Sequence, residues 1–229
     1  MKTRARGFTL IELMISVTLV AAISTGMLMA IRTSLITLQK TDDRLQSNRR
    51  VMSVEQILGR ELSGVIPVMG LCATGGSIAV FNGNQQTLHL VSTYSMAEGA
   101  RGYPRLLELQ VLPAEAGTVR LIVNESLYTG PFSTTPFCAD GGFLPGQATS
   151  QSFVLADRLA YCRISYQQRN PENRFGENWL PVWNQTNLPA AVRVDMEPLV
   201  PDPARLPLVP VTVPIHINRD INVPYVDSQ

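Results

Sequence analysis

One carboxylate stands where an anchor would have no use for it. In RARGFTLIELMISVTLVAAISTGMLMAI, Glu12 lies five residues after Gly7, and the nineteen residues from Leu13 to Ile31 carry no charge. An acid inside a membrane-length segment costs about 2.5–3.5 kcal/mol to insert, so it normally marks a partner or a function. The chemistry open to it is ion pairing: a cation at the same depth would neutralise it.

The rest of the chain is poor in reactive groups. Two lysines and two histidines leave little for acid–base work near neutral pH, which argues against an enzyme. His89 in TLHLV and His216 in PIHIN alternate with apolar neighbours and read as surface or edge histidines. Two histidines give no material for a Ser/His/Asp triad or a histidine-rich metal site. The glycines of GSIAVFNGNQ fit turns and lack the spacing of a nucleotide-binding loop. Asp140 in CADGG fits a turn better than a calcium loop, and the sequons at Asn124 and Asn184 read as chance. Trp179 and Trp183 read as core anchors. With a formal net charge of +1 there is no basic field to attract nucleic acid. No cofactor or metal is expected.

Cysteine offers redox chemistry. Cys72, Cys138 and Cys162 all follow the apolar run, so if that part of the chain is exported, the count allows one disulfide and one leftover thiol; three buried reduced cysteines are the equal alternative. Cys162 shares a strand face with Ile164 and Tyr166 and should face the core. Cys72 and Cys138 both read as loop residues and are the pair chosen for a disulfide.

The apolar run is long enough to cross a hydrocarbon core of roughly 30 Å as a helix. Lys2, Arg4 and Arg6 precede it and the bulk of the chain follows, which places the leader in the cytoplasm and the C-terminus outside. No small-residue cleavage site follows the run, so the segment should be retained. Beyond Arg32, Val51, Val54, Leu58, Leu62 and Val65 keep helical steps of three and four up to Pro67. The spacing predicts one helix from Phe8 to Ile66, roughly 90 Å long. Gly59 and Gly64 suggest close packing on a sheet, and Asp42, Asp43, Arg44, Arg49 and Arg50 read as a solvated face.

After residue 67 the period becomes two. GSIAVFNG, TLHLVSTYS, RLLELQVLP, TVRLIVNES, SFVLADRLAYCRISYQQ, AAVRVDMEPL and VPVTVPIHINRD read as strands of a mostly antiparallel domain able to fold alone. Thr129 to Ala148 reads as a long loop. Pro198, Pro201, Pro203, Pro207, Pro210 and Pro214 argue for an edge strand or loop near the end.

The run RGFTLIELMISVTLV resembles the N-terminal signal of type IV pilins and of the pseudopilins of type II secretion: a short basic leader, Gly before the cut, Phe after it, and an acid five residues into the mature chain. The block from Phe153 to Met196, with Trp179, Trp183 and the Leu188 to Val194 stretch, is similar to the J-type minor pseudopilins; W-type minor pilins share much of this outline. The resemblance implies an α+β type IV pilin-like fold, a long N-terminal helix packed on an antiparallel sheet. It implies a leader over 1–7, a transmembrane half over 8–31, an amphipathic periplasmic half over 32–66 and a β-rich domain over 67–229. It implies cleavage between Gly7 and Phe8 by a prepilin peptidase, N-methylation of Phe8, and pairing of Glu12 with the amino terminus of a neighbouring subunit, against the alternative of a carboxylate paired within its own chain. The implied role is a non-enzymatic minor pseudopilin in the bacterial inner membrane, with its domain in the periplasm and other minor pseudopilins as partners. A minor pilin of a type IV pilus or competence pseudopilus is the nearest rival, and a tethered periplasmic enzyme a more distant one.

Overall fold

The computed structural model describes residues 9–139, 142–144, 146–169, 178–200, 209–217 and 221, with the backbone alone given for 43, 44 and 46–51. The chain divides into two compact units, Met1–Arg49 and Arg50–Gln229, and each is described by itself.

The first unit is helical. Helix α1 (Leu10–Ser63) runs through it without a break and ends inside the second unit. Within Leu10–Asp42 the most apolar 18-residue window has a mean hydropathy of 2.1, and no residue of that window is buried. The hydroxyls in this run do not compete with the apolar surface. Thr25, Thr33, Thr37 and Thr41 each donate to the carbonyl four residues earlier at 2.8–2.9 Å, and Thr18 donates to that of Ile15. Threonine hydroxyls satisfied within the helix suit a medium that offers no hydrogen bonds. Asp42 is exposed, whereas the side chains of Asp43, Arg44, Arg49 and Arg50 lie outside the described residues.

The helix stops at Ser63, short of the Ile66 that its spacing predicts. Gly64 takes the turn: its N–H donates to the Arg60 carbonyl at 3.0 Å, and its own carbonyl accepts from the Thr93 N–H at 2.9 Å. A Cβ at Gly64 would come within 2.9 Å of the Ser92 hydroxyl, so the close approach predicted there is real. Gly59 has open space beside it and packs on nothing. Val65 and Ile66 leave the helix to pair with Ser92 and Val91, because backbone partners on a neighbouring strand satisfy groups that a fraying helix end leaves free.

The second unit is built on one antiparallel sheet. In chain order its elements are β1 (Val65–Ile66), β2 (Met69–Leu71), β3 (Ser77–Ala79), β4 (Asn82–Gly83), β5 (Thr87–Ser95), β6 (Ala100–Pro113), β7 (Val119–Leu127), β8 (Cys138–Ala139), β9 (Gly142–Phe143), β10 (Phe153–Gln167), β11 (Trp179–Leu180), β12 (Ala191–Pro198) and β13 (Val211–Pro214). The main sheet runs β1-β5-β6-β7-β10-β12-β13, with β4 joining β5 and β11 joining β10; β2-β3 and β8-β9 are separate hairpins. Each of the seven runs read from the sequence contributes to it. The edge strand β13 is flanked by Pro210 and contains Pro214, as the proline pattern requires; Pro201, Pro203 and Pro207 lie outside the described residues.

Both faces of the sheet are covered over part of its width, and this was not foreseen. On one face, alternate residues such as Leu88, Leu90, Leu107, Leu109, Ile164 and Val194 form the main core with Val54, Leu58 and Leu62 of α1. On the other, Val91 and Leu106 pack with Val80, Val68, Tyr128 and Phe143. Part of the supposed loop after Thr129 is ordered: residues Pro131–Phe137 form a 3₁₀ segment, followed by β8 and β9. The 3₁₀ segment packs on β2.

A tight turn plugs the gap between β6 and β10. The carbonyls of Gln86 and Gln85 accept from the Val111 and Ile164 N–H groups at 2.7 and 3.0 Å. From the core side, the buried Tyr166 hydroxyl donates toward the carbonyls of Asn84 and Thr87 at 3.0 and 3.3 Å. It also occupies the space a Cβ at Gly83 would need.

Candidate functional site

The first turn of α1 is closed by two residues of the apolar motif. Thr9 is the N-cap: its carbonyl accepts from the Leu13 N–H at 3.3 Å. Glu12, three residues on, reaches back, and its Oε2 accepts from the Thr9 N–H at 3.4 Å and the Thr9 hydroxyl at 3.2 Å. This is the glutamate half of a capping box: the carboxylate accepts from the N–H of the N-cap residue and places a negative charge at the positive end of the helix dipole, while the Thr9 hydroxyl donates to the same carboxylate and not to the backbone. The signal was in the sequence as Thr-x-x-Glu. Glu12 is exposed, so its other oxygen and its charge remain available to a cation. Gly7 and Phe8 lie outside the described residues.

Far along the chain, Cys72 and Cys138 are joined by a disulfide with their Cα atoms 4.9 Å apart. They form a small buried cluster with Ile78, against which Phe143 packs. The same seam is held by Thr134, fully buried, whose Oγ1 accepts from the Leu71 N–H at 2.9 Å. Its side chain fills the place of a Cβ at Gly70. Together these bonds tie the β2-β3 hairpin to residues 131–139. Cys162 is free and buried in the main core. Burial, helped by the Asp195 charge, pushes its thiol up to about 12, so it holds no thiolate for redox or nucleophilic work near neutrality.

His89 is neither a surface nor an edge residue. It lies on β5 between β4 and β6, 5% exposed, directly across from Glu108. Its Nε2 is 3.4 Å from the Glu108 carboxylate, and its ring stacks on Phe143 with centroids 4.4 Å apart. The expectation failed because this face of the sheet lies under the cap formed by residues 68–80, 131–139 and 142–144. Burial pushes the Glu108 carboxyl up, but His89, the Gly146 N–H at 2.7 Å and the Asn124 amide at 3.0 Å outweigh it and hold the group below its ordinary value. Asn124 in turn accepts from the Ser152 hydroxyl. The cluster fastens the segment around Gly146–Ser152 to the sheet, with His89 Nε2 near the Glu108 carboxylate but in no hydrogen bond.

The tryptophans divide. Trp183 is fully buried, donates its indole N–H to the Asn187 carbonyl at 2.8 Å and bridges to Gly83. Trp179 is half-buried under the Arg193 guanidinium, 4.3 Å from the ring centroid. His216 is exposed at the end of β13, and Asp140 lies outside the described residues.

Sequence reasoning missed Glu61. It lies in the apolar stripe of α1 between Leu58 and Leu62, 2% exposed. Its signal was its position three residues after Leu58, on the face that spacing assigned to the core.

Comparison with known proteins bears on both ends of the chain. Residues 2–28 match a family model described as the prokaryotic N-terminal methylation motif. Across 198 residues, 86% of this chain and 88% of its relative, the chain is 26% identical to a type II secretion system protein J of Xanthomonas campestris pv. campestris.

Proposed function

We propose that this protein is a J-type minor pseudopilin of type II secretion, a structural subunit that helps build the pseudopilus and has no turnover of its own. The observation that carries the reading is one chain combining the methylation motif, on an unburied apolar helix, with an antiparallel domain, similar over 86% of its length to a type II secretion system protein J. The helix anchors the chain in the inner membrane as a single span, with the domain on the periplasmic side. The disulfide supports that orientation, since such bonds persist in oxidising compartments.

Processing follows from the same motif. Prepilin peptidase cuts between Gly7 and Phe8 and methylates the new amine. The mature chain then begins one residue before the N-cap Thr9, with a cation four positions from Glu12. In the free subunit the capping box holds Glu12 and lowers the penalty of carrying an acid at the membrane boundary. In the assembly, Glu12 turns its charge to the amine of a neighbouring subunit, which rewards correct register. Leader 1–7, membrane segment 8–31, amphipathic segment 32–66 and domain 67–229 are the corresponding working parts.

Deleting the gene and measuring secreted enzymes and surface pili side by side tests the reading. Lost secretion with intact pili is expected. Unchanged secretion with lost pili would overturn it and assign the chain to a pilus.

A further inference from the structure

An unpaired acid is sealed into the seam where the end of α1 meets the sheet. Glu61 is 2% exposed beside Leu58 and Leu62, and among the described residues no donor stands in hydrogen-bond geometry to either of its buried carboxyl oxygens, the nearby Ser92 hydroxyl included. Buried polar groups are normally bonded, and a buried unpaired charge costs several kcal/mol, so the group must be accounted for.

Among the described residues, the groups around it do not supply a counter-charge. On its own helix, Arg60 turns to Tyr94, donating to the hydroxyl at 2.9 Å and lying 5.6 Å over the ring. From β5, Ser92 faces the carboxyl; from β7, Glu125 adds a second negative charge. Arg105 on β6 is engaged by Glu98 and by Glu125. Glu125 also accepts from the Ser95 hydroxyl and the Met96 and Ala97 N–H groups at 2.6, 3.0 and 3.2 Å. It is the partnered acid of the two, and Glu61 the unpartnered one. Burial above all, and Glu125 in addition, push the Glu61 carboxyl up to about 7 against the opposing pull of the Ser92 hydroxyl.

We propose that Glu61 is a pH-sensitive latch between α1 and the sheet: as the neutral acid it stays in the seam with Leu58 and Leu62, and loss of its proton favours a state in which the last turns of the helix lift from β5 and the carboxylate reaches water. Gly64, pinned to Thr93 through its carbonyl, is the point from which those turns would swing.

The sign follows from linkage. The docked state keeps its proton to about pH 7, whereas a hydrated Glu61 would lose it near 4.5. Docking is therefore undiminished below pH 4.5, weakens as pH rises through that window, and levels off above 7. Within the window the undocked fraction grows about tenfold per pH unit.

The test uses the full chain in detergent micelles. Amide hydrogen exchange over residues 54–63, corrected for the intrinsic pH dependence of exchange, is followed from pH 5 to 8. The wild type should lose protection about tenfold per unit up to pH 7, and Glu61→Gln should lose that slope while remaining docked. Equal slopes in the two would overturn the proposal. If the variant fails to fold, carbon-13 NMR of the wild-type side-chain carboxyl decides: a midpoint close to 7 supports the latch, and one in the ordinary range near 4.5 overturns it.

Discussion

At the scale of single residues, Glu12 carries two separable properties, its capping geometry and its charge. Glu12→Ala removes both and Glu12→Gln only the charge, since an amide oxygen still accepts from Thr9. Both variants should insert in the membrane normally, and both should fail to assemble in pseudopilus assays. Assembly rescued by glutamine would limit the role of Glu12 to the cap, which contributes about 1 kcal/mol. Tyr166 makes a second residue-scale claim. Its hydroxyl serves two carbonyls of the turn between β4 and β5 inside the core. Tyr166→Phe leaves that turn under-satisfied at nearly unchanged volume, so denaturant unfolding should show a loss of about 1–3 kcal/mol. The type and spacing of Glu12 were legible in the sequence. The neighbours of Tyr166 were not, because Asn84 lies 82 residues away and only the fold brings it near.

At the scale of elements, helix and strands followed the periods of the sequence wherever one period ruled. The TLHLVSTYS run became β5 with the same ends, and the main departure at the helix end came from Gly64 and the pull of β5 on Val65 and Ile66. The cap over β5–β7 was illegible because its segments are short and held by side-chain and covalent contacts, which leave no periodic trace. The disulfide spans 66 residues, and a crosslink of that span contributes about 4 kcal/mol by restricting the unfolded chain. Replacing Cys72 and Cys138 by serine should lower stability by about that amount in denaturant unfolding. Exchange protection should fall first in β2, β3 and residues 131–139, while β6 and β10 stay protected. Uniform loss across the domain would show that cap and sheet form one cooperative unit.

At the scale of the whole molecule, a processed and methylated subunit has a definite mass. Intact mass measurement of protein from the native membrane should show the loss of residues 1–7 and the gain of one methyl group, and an unshortened chain would contradict the processing step. The sequence by itself carries the N-terminal methylation motif on which the proposed function rests, because leader charge, Gly-Phe and acid lie within twelve consecutive residues and need no fold to bring them together. It also determined the helix and the strand-rich domain, through periodicity. Only the tertiary structure decided which polar groups are buried: His89 lies under the cap, and Glu61 of α1 is sealed against the sheet. Burial is a property of what covers a face, and the segments that cover these two are distant in sequence from the residues they hide.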